Sequence, residues 1–216
     1  MKENHLEVRR TARYYTIGEW TQNTRQVWFV LHGYGQLARY FIKKFEAIAN
    51  DETMIIAPEA LSKLYLGEPG SSRVGASWLT REDRHNEIAD QLSYFNTLFD
   101  TLSKGHNLEA VKINLLGFSQ GTSAALRWLA NGQVRFDKLV LWAGYFGNGI
   151  GDLVSKQQLS QVETVLAYGT QDQYLTQIDM KAYFEDILSV VPHVQIVSFD
   201  GPHTIDLPTL QKIVNS

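Results

Sequence analysis

The residues best suited to chemistry form the run Gly117-Phe118-Ser119-Gln120-Gly121, which follows the apolar stretch Ile113-Asn114-Leu115-Leu116 and precedes a helix-like segment beginning at Thr122. A serine hydroxyl is a weak nucleophile at neutral pH and attacks a carbonyl carbon only when a neighbouring base takes its proton. The pattern G-x-S-x-G presents such a hydroxyl when it lies between a strand and a helix. The sharp, strained turn lifts the side chain to the edge of the sheet, and the flanking glycines leave room for the backbone to pass. Outside that context the same letters describe a turn with a hydroxyl helix cap. Ser119 therefore reads as a nucleophile if the chain also supplies a base and a group to orient it.

Two histidines lie far enough downstream, His193 and His203. His193 precedes the candidate strand 194–199 and so belongs to the opposite edge of the sheet from Ser119, whereas His203 follows that strand on a Gly201-Pro202 turn. His203 is the better base. Asp172 follows the candidate strand 164–169 and stands at the same edge, placed to accept from the imidazole. Asp179 and Asp186 fall inside a predicted helix, and Asp200, which also ends a strand, is the nearest rival. A lone aspartate after a strand is usually a turn former. The ordered set Ser119, Asp172, His203 is what gives Asp172 its weight.

Acyl transfer develops negative charge on the carbonyl oxygen, and fixed backbone N–H donors are the usual answer to it. The N–H of Gln120 is one candidate; the other is the N–H of Tyr34, in the post-strand loop Leu31-His32-Gly33-Tyr34-Gly35. His32 reads as shaping that glycine-rich loop rather than as a base. Tyr34, Trp78, Tyr145 and Tyr174 fall in or beside post-strand loops, where they either line an acyl pocket or pack in the ordinary way. Trp28, Trp128 and Trp142 lie within predicted elements and are assigned to the core. The chain has no H-x-x-x-H, HExxH or compact His/Asp motif, so no metal is expected. No Walker lysine or complete dinucleotide fingerprint accompanies its glycines, so no cofactor is expected either.

These residues need a scaffold that gathers strand ends along one edge. Short β-rich runs at 27–31, 53–57, 111–117, 138–143, 164–169 and 194–199 alternate with helix-like segments at 38–49, 84–102, 120–130, 176–190 and 204–214. That alternation predicts an α/β fold, a mostly parallel sheet flanked by helices. The polar, alternating stretch 7–18 suggests an antiparallel edge strand or hairpin, with Arg9, Arg10 and Arg13 on its solvated face. Thr176 with Asp179 resembles a capping box, and Gly105 and Gly132 suit left-handed positions after helices. The stretch 57–80 resists assignment, and loops of that length are often functional.

Composition narrows the partners. At 216 residues the chain suits one catalytic domain, 1–216. A net charge of −3 argues against nucleic acid and polyanionic substrates. With no cysteine there is no disulfide, thiol nucleophile or thiolate metal site. The N-terminus has no apolar signal region and no run suits a membrane span, so a cytoplasmic protein without integral membrane association is expected.

Taken in order, the motifs Leu31–Gly35, Gly117–Gly121, Gly169–Leu175 and Gly201–Ile205 resemble those of the phospholipase/carboxylesterase family of α/β-hydrolases, which includes acyl-protein thioesterases. The resemblance covers nearly the whole chain from Val27. It implies an α/β-hydrolase fold with little or no cap domain, the triad Ser119, Asp172 and His203, Tyr34 and Gln120 as oxyanion donors, and no cofactor. It also implies that Trp78, Tyr145 and Tyr174 lie near the acyl chain. The chain departs from the family in having Thr122 where a glycine or small residue is usual, and Pro202 where a second glycine often precedes the histidine. The segment 61–84 matches the family poorly and is expected to border the substrate. The expected activity is hydrolysis of small-molecule carboxylic esters, with thioesters and lysophospholipids within the same chemistry. A peptidase or amidase with the same triad, or a non-catalytic binding module, are the alternatives.

Overall fold

In the computed structural model, which describes residues 1–68, 70, 72–131 and 133–216, the apolar runs become strands, those in the middle of the sheet buried on both faces and the run 194–199 a largely exposed edge. Chain order gives β1 (Tyr14–Ile17), β2 (Gln26–Leu31), β3 (Thr53–Pro58), β4 (Ser62–Tyr65), β5 (Val74–Ser77), β6 (Lys112–Phe118), β7 (Lys138–Trp142), β8 (Glu163–Gly169) and β9 (Gln195–Phe199). The helices are α1 (Ala38–Phe41), α2 (Arg84–Ser103), α3 (Gln120–Asn131), α4 (Lys156–Leu159), α5 (Met180–Val190) and α6 (Leu207–Asn215). Seven strands form one sheet in the order β1-β3-β2-β6-β7-β8-β9, parallel except for β1, which pairs antiparallel with β3.

Side chains alternate across a strand, so each central strand feeds two cores. Val27, Phe29 and Leu31 of β2 pack with Phe95 and Phe99 of α2 and Trp128 of α3 on one face. Trp28 and Val30 pack with Phe41 of α1 and Leu210 and Ile213 of α6 on the other. Each large apolar side chain buried this way contributes about 1.5–3 kcal/mol, so the alternation fixes which face every strand presents. Trp28, Trp128 and Trp142 are fully buried and donate their indole N–H groups to Gln26 Oε1, Asn96 Oδ1 and the Thr204 carbonyl.

The strand order creates the crevice. From β2 the chain moves outward to β3, then returns to β6 and proceeds the other way through β7, β8 and β9. Loops leaving the carboxyl ends of the neighbours β2 and β6 therefore diverge, and open α/β sheets bind ligands at such a switch point.

Several boundaries differ from the sequence reading. The segment 38–49 is helical throughout 38–48 but passes from α-helix into a 3₁₀-helix at Ile42, because its buried residues Ile42, Phe45 and Ile48 recur every three positions. The helix expected from Thr176 begins at Met180, with Asp179 itself as the cap accepting from the N–H groups of Lys181 and Ala182. The last helix starts at Leu207, capped by Asp206, instead of Thr204. Only Tyr14–Ile17 of the stretch 7–18 forms a strand. Arg13 is no free surface charge: its guanidinium binds the buried Glu59 carboxylate at 2.5 and 3.0 Å. Within 57–80, β4 and β5 pair as an antiparallel hairpin. Gly105 is left-handed (φ 85°), whereas Gly132 lies outside the described residues. Among the described residues, no helix is long and apolar enough to cross a membrane.

Candidate active site

Ser119 ends the crossing from β6 into α3 with φ 54°, a left-handed conformation that non-glycine residues rarely adopt. Backbone bonds hold it there. Its N–H donates to the Trp142 carbonyl at 2.8 Å, and its own carbonyl accepts from the Thr122 N–H at 3.0 Å and the Thr122 hydroxyl at 2.6 Å. The flanking glycines are there for space. A Cβ on Gly117 would overlap the backbone of Gly121, and one on Gly121 would overlap the carbonyl oxygens of Leu31 and His32. Thr122, the departure from the usual small residue, is buried and fits because Gly144 faces it without a side chain.

Two turns carry the remaining groups. Asp172 follows β8 and His203 follows β9, and His203 Nδ1 lies 2.6 Å from Asp172 Oδ2. The carboxylate is fully buried, and its other oxygen accepts from the Tyr174 N–H at 2.9 Å. The turns are clamped together by Thr170 N–H to the Phe199 carbonyl (2.9 Å) and Gln171 N–H to the Gly201 carbonyl (3.0 Å). The His203 ring packs against Phe118 and Tyr174, each 4.8 Å away between centroids. The rival residues stand elsewhere: His193 is exposed, and Asp200 is exposed and accepts from Gln171 Nε2 at 2.7 Å.

The loop after β2 forms the facing wall. Gly33 donates its N–H to Gln36 Oε1 at 2.9 Å, and a Cβ there would press on Phe118 and Ser119. Gly35 (φ 72°) donates to the Ala76 carbonyl at 2.9 Å, and the Ala76 N–H returns to the Gln36 carbonyl at 3.1 Å, so the hairpin β4-β5 braces this loop. The Gln120 side chain reaches the same support, accepting from the Trp78 N–H at 3.0 Å and donating to the Ser77 hydroxyl and the Leu79 carbonyl at 2.9 Å. Among the described residues, the backbone N–H groups of Tyr34 and Gln120 meet no acceptor of the chain.

His32 is buried under this loop, with Nδ1 2.8 Å from the Gly33 carbonyl and Nε2 accepting from the Ala60 N–H at 3.1 Å. Burial lowers its pKa to about 4, against a partial rise from the Gly33 carbonyl. An unfolded chain would protonate His32 near pH 6.5, so this site's stability is complete above that pH and is lost as the pH falls towards 4. Between pH 7.5 and pH 5 wild type should lose about 2 kcal/mol more than His32→Gln in urea unfolding. Parallel losses would show that the imidazole is not held neutral.

Ser119, His203, Tyr34, Tyr145 and Tyr174 line one groove of about 500 Å³ together with Gln36, Phe118 and Ser123. The three tyrosines are half or more exposed along it. Tyr145 is carried on a loop anchored where the Tyr183 hydroxyl donates to the Gly144 carbonyl at 2.7 Å. Trp78 corrects the sequence reading: it is 4% exposed, donates its indole N–H to the His32 carbonyl at 2.6 Å, and packs on His32 and Phe95 without lining the groove. Among the described residues, the segment 61–84 likewise supplies none of the groove's lining and acts as the brace behind it. Ser123 escaped notice in the sequence, although it lies one helical turn beyond Ser119 and helical spacing places it on the same side. A histidine and two carboxylates do come together at Glu3, His5 and Asp83, but all three are exposed and none lines the groove.

A family model described as phospholipase/carboxylesterase matches residues 13–216. Comparison with curated proteins finds no match. Among solved structures, maize (Zea mays) acyl-protein thioesterase 2 superposes with TM-score 0.67 at 16% identity, covering 95% of this chain and 97% of its own. A phospholipase/carboxylesterase from Dyadobacter fermentans gives 0.64 at 19% identity, covering 95% and 96%. The Bacillus cereus carboxylesterase gives 0.64 at 15% identity, covering 94% and 92%. At these identities the likeness is one of fold, the α/β-hydrolase fold.

Proposed function

The chain belongs to the phospholipase/carboxylesterase family of esterase-type hydrolases, and we propose that residues 1–216 act as one catalytic unit hydrolysing carboxylic esters through an acyl-enzyme on Ser119. The observation that carries this reading is the 2.6 Å contact of His203 Nδ1 with a fully buried carboxylate, in the groove that also holds a left-handed serine. Asp172 can only accept, so it fixes the proton on Nδ1 and leaves Nε2 free to take one. In the first step Ser119 Oγ bonds to the carbonyl carbon, its proton passes to His203 Nε2, and the carbonyl oxygen becomes an anion facing the N–H groups of Tyr34 and Gln120. Collapse expels the alcohol, which takes the proton from His203. Water then attacks the acyl-enzyme, again giving its proton to His203; collapse breaks the bond to Ser119 Oγ, which takes that proton back as the acid leaves.

The exposed tyrosines support an ester with an apolar acyl portion, and thioesters and lysophospholipids meet the same chemical requirements. The weakly acidic chain supports a small-molecule substrate over nucleic acid. Incubation with a fluorophosphonate followed by peptide mapping tests the reading: a single adduct on Ser119 is expected. A folded protein that stays unmodified would overturn it in favour of a binding module, and an adduct elsewhere would move the nucleophile away from Ser119.

A further inference from the structure

A second groove, of about 450 Å³, lies on the other side of the loop that follows β2, and its lining includes Gln36, Arg39, Tyr40, Phe41, Lys44 and Arg73. Arg39 and Lys44 give it two exposed cations, and among the described residues no carboxylate lines it. The chain as a whole carries a net charge of −3, so this concentration of positive charge is local and does not follow from composition. The Arg39 guanidinium lies 4.5 Å from the centroid of the Tyr40 ring. A guanidinium stacked on an aromatic face keeps its N–H edge free for an acceptor and loses less freedom when it binds one. The buried Phe41 adds an apolar wall beside these charges.

Gln36 lines both this groove and the one holding Ser119. Its side chain is held by the Gly33 N–H, so the boundary between the two grooves is a fixed residue. A ligand lying across Gln36 would have one end at the reactive serine and the other among the cations.

We propose that the second groove receives an acidic group, a carboxylate or phosphate, borne by the substrate itself at the end remote from the scissile carbonyl. The preferred esters are then singly charged or more, not neutral. This rests on the esterase reading above. The charge selects the substrate while the triad does the chemistry, so the cations act on binding and not on the bond being broken.

The test uses two ester pairs, each a neutral and an acidic member of similar length. One pair, 4-nitrophenyl hexanoate and mono-4-nitrophenyl adipate, carries the acid on the acyl side. The other, the butyrate esters of 4-hydroxybenzyl alcohol and of 4-hydroxybenzoate, carries it on the alcohol side. In the double variant Arg39→Gln/Lys44→Gln, kcat/KM for at least one acidic ester should fall about tenfold, through KM, while its neutral partner stays within about twofold. Both residues are exposed, and an unchanged melting temperature would exclude misfolding as the cause. Equal effects on charged and neutral esters, or none on either, would overturn the proposal. So would millimolar inorganic phosphate altering both members of each pair alike, since the anion would then be a separate effector. If wild type cleaves no ester, the catalytic reading fails, and calorimetric titration of adipate reads the anion site alone: binding lost in the double variant supports it, and no binding to wild type refutes it.

Discussion

Replacing Ser119 by alanine is expected to lower kcat/KM for 4-nitrophenyl butyrate by about 10⁴-fold or more while leaving the fold intact. The serine's structural contributions are all made by its backbone: its N–H binds the Trp142 carbonyl, and its carbonyl accepts twice from Thr122. Alanine keeps every one of these. It also meets the same left-handed strain as serine, of order 1–3 kcal/mol, so the strain cancels between wild type and variant. Thermal unfolding should agree within about 0.5 kcal/mol. Any remaining turnover would come from the N–H groups of Tyr34 and Gln120 polarising a bound carbonyl for attack by water. Activity within tenfold of wild type, in a variant of unchanged stability, would remove Ser119 from the mechanism.

The features legible in the sequence are those fixed by a short repeat or by chain order. Strands β2, β6, β7 and β8 announced themselves because both faces are buried, which demands continuous apolar runs such as Val27 to Leu31. Chain order then separated His203 from His193, since one follows β9 and the other precedes it. What stayed hidden depends on contacts between distant residues. Trp78 sits one residue past β5 and looked available for substrate, but its indole N–H is consumed by the His32 carbonyl, forty-six positions away. Arg13 read as solvated because nothing local hinted at Glu59 as its partner. The hairpin β4-β5 was missed since two four-residue strands joined by a long connection carry too little periodicity to detect. Thr122 looked like a fault in the motif, yet its hydroxyl binds the carbonyl of the residue it follows by three.

The Asp172–His203 pair permits the sharpest substitution, Asp172→Asn, for which we expect a fall of about 10³–10⁴-fold in kcat/KM with little change in shape. Asp172 uses its two oxygens differently, one towards His203 Nδ1 and one towards the Tyr174 N–H. The asparagine carbonyl can keep the Tyr174 bond, which turns the amide NH₂ towards the imidazole. A donor in that place forces Nδ1 to become the acceptor, so the ring proton moves to Nε2 and faces Ser119, where a base is needed. Catalysis fails through the tautomer while the packing stays intact. His203→Gln should fall at least as far, for it removes the base outright. Asp200→Asn and His193→Gln provide the control, because both side chains are exposed and outside the groove lining. Their kcat/KM should stay within about twofold of wild type. If Asp200→Asn proved as damaging as Asp172→Asn, the carboxylate orienting the base would be the one on β9's turn, and the 2.6 Å contact would not be the catalytic one.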